Sequence, residues 1–119
     1  MSGINESGDC IFCKIANGEI PAEKVYEDDG ILAFADISPQ APVHVIIIPK
    51  RHIGSAAEIE TIADAEIAGR IIKVAADIAR EKNLDSGYRI LTNIGEDGGQ
   101  TVHHLHFHLL GGKKLGALG

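Results

Sequence analysis

Residues 101 to 110 read TVHHLHFHLL and place four of the six histidines of the chain within six consecutive positions. His104, His106 and His108 alternate with Leu105, Phe107 and Leu109. In a strand, side chains two apart share a face at a spacing of about 6.6–6.8 Å. The three histidines then stand on one face, and His103 falls on the other with three apolar residues. A merely solvated strand face would be served as well by Lys, Thr or Glu, so the row points to chemistry. Metal ligation is one such chemistry, although rings at this spacing reach one side of a shared ligand more readily than a single zinc at about 2.0 Å. Displacement at phosphorus is the other. Neutral imidazole, with a reference pKa of about 6.5, is a good nucleophile at pH 7. A middle histidine can attack while its neighbours hold phosphate oxygens and donate protons.

The loop that leads into this row, GEDGGQT, supports phosphorus chemistry. Gly95, Gly98 and Gly99 allow positive φ and close backbone approach, so main-chain N–H groups can face an oxyanion. Gln100 and Thr101 add side-chain donors at the mouth. A second cluster of reactive residues is Cys10-x-x-Cys13. A redox pair, half of a zinc site and two packed free thiols all remain open from spacing alone, and a disulfide is the weaker reading in a reducing compartment.

These residues need elements to position them. Ile11, Phe12, Ile15 and Ala16 predict a short helix over Cys10 to Asn17, stopped by Gly18. KVYEDD and GILAFADI read as two strands around a turn at Asp28-Asp29-Gly30. SPQAP is a loop, because two prolines exclude regular structure. VHVIIIP, almost wholly apolar and β-branched, reads as a central strand. Ile67, Ile71, Val74 and Ile78 form one helical stripe and predict a long helix over about Thr61 to Lys82. Acidic Asp64 and Glu66 lie near its start, and basic Arg80 and Lys82 near its end, as the helix dipole favours. YRILTNI is a fourth strand and the histidine row a fifth. The order predicts an α+β domain on an antiparallel sheet. The Leu105, Phe107 and Leu109 face should pack on the long helix, leaving the histidine face to solvent or a cleft.

Length and composition bound the rest. At 119 residues the chain is one domain, 10–119, preceded by a polar, Gly/Ser-containing segment, 1–9, that reads as a flexible tail. It is 45% hydrophobic and 24% charged, well away from disorder. No apolar run approaches the roughly 20 residues of a membrane span, and the N-terminus lacks a signal-peptide pattern, so the cytoplasm is the expected compartment. A formal net charge of −6 argues against a nucleic-acid polymer as partner. One small phosphate ligand remains compatible with it.

Together these segments resemble the histidine-triad family. HHLHFHLLGG matches the motif His-φ-His-φ-His-φ-φ, with φ apolar, over His104 to Leu110. CIFCKIANGEIPAEKVYEDD, LAFADISPQAPVHVIIIPKRHI and GYRILTNIGEDGGQTVHHLHFHLL agree in order, so the resemblance covers roughly residues 10 to 112. It is similar to the HINT branch, small purine-nucleotide phosphoramidases. The resemblance implies a five-stranded antiparallel sheet with one long and one short helix, and a homodimer with a continuous ten-stranded sheet. It implies hydrolysis of the P–N bond of purine nucleoside 5′-phosphoramidates, typically of adenosine, and of aminoacyl-adenylates. Alternatives are a dinucleoside polyphosphate hydrolase and a nucleotide-binding regulatory module.

Residue by residue, the resemblance makes His106 the nucleophile and His108 the group that hydrogen-bonds the phosphate and helps the leaving group. His104 and His44 complete the network that fixes the tautomers. Asp36 would bind the ribose hydroxyls, and Phe12, Ile20, Phe34 and Ile37 would form the base slot. Asn93, Gly99, Gln100 and Thr101 would surround the phosphate and leaving group. Some family members hold a structural zinc, and its ligands would be Cys10, Cys13, His52 and His104; no cofactor is required for catalysis. The ending GGKKLGALG lacks the aromatic and proline-rich segment of some members, which leaves the preference for a particular amine open.

Overall fold

The computed structural model describes residues 10–117; the predicted tail, residues 1–9, lies outside them. Helix α1 (Ile11–Ala16) is followed by β1 (Lys24–Glu27), β2 (Ile31–Ala35) and β3 (Val43–Pro49). A single 3-10 turn (Ala56–Glu58) precedes α2 (Ile62–Glu81), and β4 (Tyr88–Leu91) and β5 (Phe107–Gly111) end the fold. The five strands pair antiparallel in the order β1-β2-β3-β5-β4. VHVIIIP is therefore central, as its apolar run predicts, with Ile46, Ile47 and Ile48 all buried.

Both helices fall where periodicity and capping place them. Thr61 caps α2 by accepting the Asp64 N–H at 3.1 Å, and Lys82 ends the helix. Its buried positions, Ile71, Val74, Ala75, Ile78 and Ala79, form the stripe that packs on one face of the sheet. Cys10 caps α1 through its sulfur, which accepts the Cys13 N–H at 3.2 Å. The β1–β2 turn is closed by Asp28, whose Oδ1 accepts the N–H groups of Gly30 and Ile31 at 2.8 and 2.9 Å.

The two faces of the sheet build two cores. On one, Ile31, Ala33, Val45, Ile47, Leu105, Phe107 and Leu109 meet α2. On the other, Leu32, Phe34, Ile46 and Ile48 meet Cys10, Phe12, Cys13 and Ile15 of the α1 region. Among the described residues, no helix is long and apolar enough to cross a membrane.

Candidate active site

The histidine row does not begin as a strand. β5 starts only at Phe107, paired with Ile47 of β3, and β4 releases it at the Leu91–His108 pair. β3 ends at Pro49, which has no N–H with which to extend a ladder. Residues 104 to 106 are held one bond at a time. Leu105 donates its N–H to the Ile53 carbonyl at 2.5 Å, and the Thr92 hydroxyl donates to the His106 carbonyl at 2.7 Å. The alternation of faces survives, with Leu105, Phe107 and Leu109 buried against α2. The histidine face, however, is not open along its length. α1 folds over it, so that His104 is 0% exposed and His106 4%, leaving His108 half-buried at the margin.

Fixed partners assign the protons of these rings. The His106 Nδ1 lies 2.7 Å from the His104 carbonyl, which can only accept, so Nδ1 carries the hydrogen. Its Nε2 is left with a free lone pair. The main-chain N–H of Gln40 donates to the Nδ1 of His44 at 3.0 Å, so His44 carries its hydrogen on Nε2. That nitrogen is 2.9 Å from the Nδ1 of His108 and 3.4 Å from Oδ2 of Asp36. The chain Gln40–His44–His108 thus leaves His108 a donor at its Nε2.

Burial, and then the neighbouring His106 and His44 rings, lower the His108 pKa to about 4, with Asp36 opposing them. Burial lowers His44 as well, again against Asp36. His104 falls to about 4 because it is desolvated, although the Pro49 carbonyl favours its charged form. Burial thus favours the neutral imidazole at both His104 and His108.

His104 also joins the second cluster. Its Nε2–H donates to the Pro49 carbonyl at 2.9 Å, turning the Nδ1 lone pair towards Cys10 Sγ at 3.2 Å and Cys13 Sγ at 3.5 Å. His52 Nδ1 lies 3.2 Å from Cys13 Sγ. One ligand atom from each of Cys10, Cys13, His52 and His104 falls within 4.8 Å of all the others. Two sulfurs and two imidazole nitrogens, one imidazole already anchored through its far nitrogen, are a donor set that fits zinc.

The remaining predicted residues divide. Phe12 stands edge-on to His106 at 5.0 Å and to Phe34 at 5.7 Å, and half-buried Ile20 packs on the same cluster. Ile37 stands apart, 99% exposed. Asp36 accepts the Ser38 N–H at 2.7 Å and holds its second oxygen beside His44. In the glycine loop, a Cβ on Gly98 would lie 2.2 Å from the Ile94 carbonyl, and Gly99 takes φ +83°. Gln100 differs from expectation. Its amide donates to the carbonyls of Gly54 and Val102, and its Oε1 accepts the Gly95 N–H, so it braces the loop and presents no side-chain donor at the mouth. The N–H groups of Gly99 and Gln100 are likewise bonded inside the loop. Asn93 donates to the Gly98 carbonyl at 2.7 Å, and Thr101 is exposed at the rim. His103 is exposed, 3.6 Å from Glu58 and with its ring 6.1 Å from that of His52.

Three groups escaped sequence reasoning: Thr92, the Pro49 carbonyl and the Gln40 N–H. Thr92 at least carries a signal, since it directly follows β4, whose last residue pairs with His108. The other two are main-chain atoms, to which no residue type points.

With this geometry in place, the comparisons with known proteins are consistent with one another. A family model described as the HIT domain matches residues 17–115. The purine nucleoside phosphoramidase of Escherichia coli K12 is 46% identical over 109 residues, covering 91% of each chain. The structure of a histidine triad protein from Clostridium difficile superposes with a TM-score of 0.88 at 51% identity, covering 94% of this chain and 97% of that one. A HIT family hydrolase from Clostridium thermocellum gives 0.88 at 46%, covering 93% and 96%.

Proposed function

The chain belongs to the HIT domain family, and we propose that this HIT family hydrolase cleaves the P–N bond of purine nucleoside 5′-phosphoramidates through a nucleotidyl-His106 intermediate. The observation that carries this reading is the Nδ1 bond of His106 to a carbonyl, which leaves a buried, oriented Nε2 lone pair. The phosphoramidase named among its relatives supports the substrate class.

In the first step the Nε2 of His106 attacks phosphorus, a P–N bond to imidazole forms, and the P–N bond to the amine breaks. The departing nitrogen takes a proton from solvent at the open rim near Thr101. In the second step water attacks phosphorus and gives up a proton to solvent, the bond to His106 breaks and returns its electron pair to Nε2, and the nucleoside monophosphate leaves. Splitting one displacement into two lowers each barrier. His108 offers its Nε2–H to a phosphoryl oxygen, a hydrogen bond that strengthens as charge gathers there. Asp36 faces the ribose hydroxyls, Phe12, Ile20 and Phe34 take the base, and Ile37, exposed in this structure, would reach the base only by turning in over it.

Zinc is assigned to Cys10, Cys13, His52 and His104 as a structural ion. When bound it would tie the α1 region, the loop after β3 and residue 104 together through these four side chains. The homodimer would form through β4, an open sheet edge on which Tyr88 is 41% exposed beside a hollow of about 630 Å³. Two cysteines without a disulfide suit the reducing cytoplasm.

The test is a panel of adenosine and guanosine phosphoramidates set against dinucleoside polyphosphates, with acid-quenched protein searched for a nucleotidyl adduct. Wild-type protein should release nucleoside monophosphate and amine and carry the adduct on His106. His106→Ala should lose at least about 10³-fold in turnover. Turnover retained by that variant overturns the nucleophile, and faster cleavage of the polyphosphates moves the substrate class.

A further inference from the structure

Residue 104 belongs to two sites at once. Its ring faces the thiols of Cys10 and Cys13, while its carbonyl holds the His106 Nδ1–H at 2.7 Å. A second route joins the same sites. Phe12 lies between the two cysteines in sequence, and its ring stands edge-on to His106 at 5.0 Å and to His104 at 6.0 Å. Neither route is braced by regular structure. α1 has six residues, too few for a helix to be stable alone, and its cap is the Cys10 sulfur itself. Residues 104 to 106 precede the β5 ladder and rest on isolated bonds to Ile53 and Thr92 and on the His104 bond to Pro49. His52 brings in a third segment, the loop after β3, through its 3.2 Å contact with Cys13.

We infer that Cys10, Cys13 and His52 are positioning residues for His106: closing the four-donor cluster on a divalent metal pins the His104 main chain and the Phe12 ring together, and so holds the nucleophile in line. The inference rests on the metal and nucleophile assignments of the preceding subsection and goes beyond both. A metal that served only to staple the fold would leave His106 indifferent to its removal. Here the path from sulfur to the reacting nitrogen runs through one residue, and a nucleophile displaced by about 1 Å can lose on the order of 10²-fold in rate.

The experiment compares full-length protein loaded with zinc and the same protein stripped by a chelator. Zinc content is measured, together with the ¹⁵N–¹H signal of the His106 Nδ1–H and with kcat and KM on an adenosine phosphoramidate. The loaded form should hold one zinc per chain and show a sharp, slowly exchanging His106 signal. Stripping should broaden that signal, with amide changes confined to α1, the loop around His52 and residues 102–108, and lower kcat by about 10- to 10²-fold. Zinc added back should restore both. His52→Ala removes a ligand that does not contact the His106 ring. It should need more free zinc, with the His106 signal and kcat recovering at the same zinc concentration. Identical His106 signals and kcat in the two forms overturn the inference. So does failure to take up zinc, or amide loss across the whole sheet, since the cluster would then hold the fold and not the nucleophile. If neither form turns over the phosphoramidate, the substrate class fails while the His106 signal still decides the coupling.

Discussion

The two faces of residues 104 to 109 solve different problems with the same stretch of backbone. Leu105, Phe107 and Leu109 point into a core of fourteen buried residues against α2, where each side chain is held by many neighbours and by no one partner. His104, His106 and His108 point the other way, and each is held by one to three named groups: a carbonyl, a sulfur, a neighbouring ring. The apolar face tolerates repacking and responds to lost volume. The polar face responds to lost direction, because a hydrogen bond weakens steeply with angle. Damage to the first should therefore be read in stability, and damage to the second in turnover.

The largest effect that separates the faces is expected from Leu109, which is 0% exposed. Leu109→Ala should cost about 2–5 kcal/mol of unfolding free energy, while the neighbouring His108→Gln should change stability by less than about 1 kcal/mol and lower kcat by about 10²-fold. Urea melts and steady-state kinetics on the pair check this, and an exchanged pattern breaks the comparison. Acid should reveal the histidine face next. His104 is neutral when folded, with a pKa of about 4, but titrates near 6.5 when unfolded. Protons then favour the unfolded chain as pH falls below about 6.5, and the loss is complete below about 4. In zinc-stripped protein this ring alone should remove up to about 3 kcal/mol between pH 7 and pH 4. A urea midpoint that is flat from pH 7 to 5 would contradict the burial of His104. The smallest effect should come from Thr92→Val, which deletes the hydroxyl on the His106 carbonyl at a cost of about 1 kcal/mol. Thr92→Ser should restore kcat, and a Ser variant no better than Val removes Thr92 from the site.

Much of this arrangement was legible in residue order, and the part that was not has a common cause. Ile67 to Ile78 repeat at helical spacing and Thr61 can cap, so α2 could be drawn almost to the residue. The alternation of His104 to Leu109 assigned both faces, since period two belongs to any extended chain. The start of β5 could not be read, because it depends on β3 stopping at Pro49 and on Leu105 bonding to Ile53, some fifty positions away. The burial of His104 and His106 depends on α1 crossing the sheet, and the lowered pKa of His108 depends on its own burial and then on the His106 and His44 rings. Gln100 misled for the same reason: its amide is a donor in isolation and a brace once Gly54 stands beside it.

The order of protons along His44 and His108 begins at a main-chain N–H, that of Gln40. Nothing in the side chain of residue 40 takes part, and its amide bonds only to the Ser38 carbonyl. Position 40 is therefore open to almost any substitution without disturbing which ring nitrogen carries a hydrogen. Proline is the exception, since it alone lacks that donor. A survey of all nineteen substitutions at this exposed position should find it permissive at eighteen and closed at one, a pattern that would look like a turn preference and have its origin in the direction of a proton two rings away.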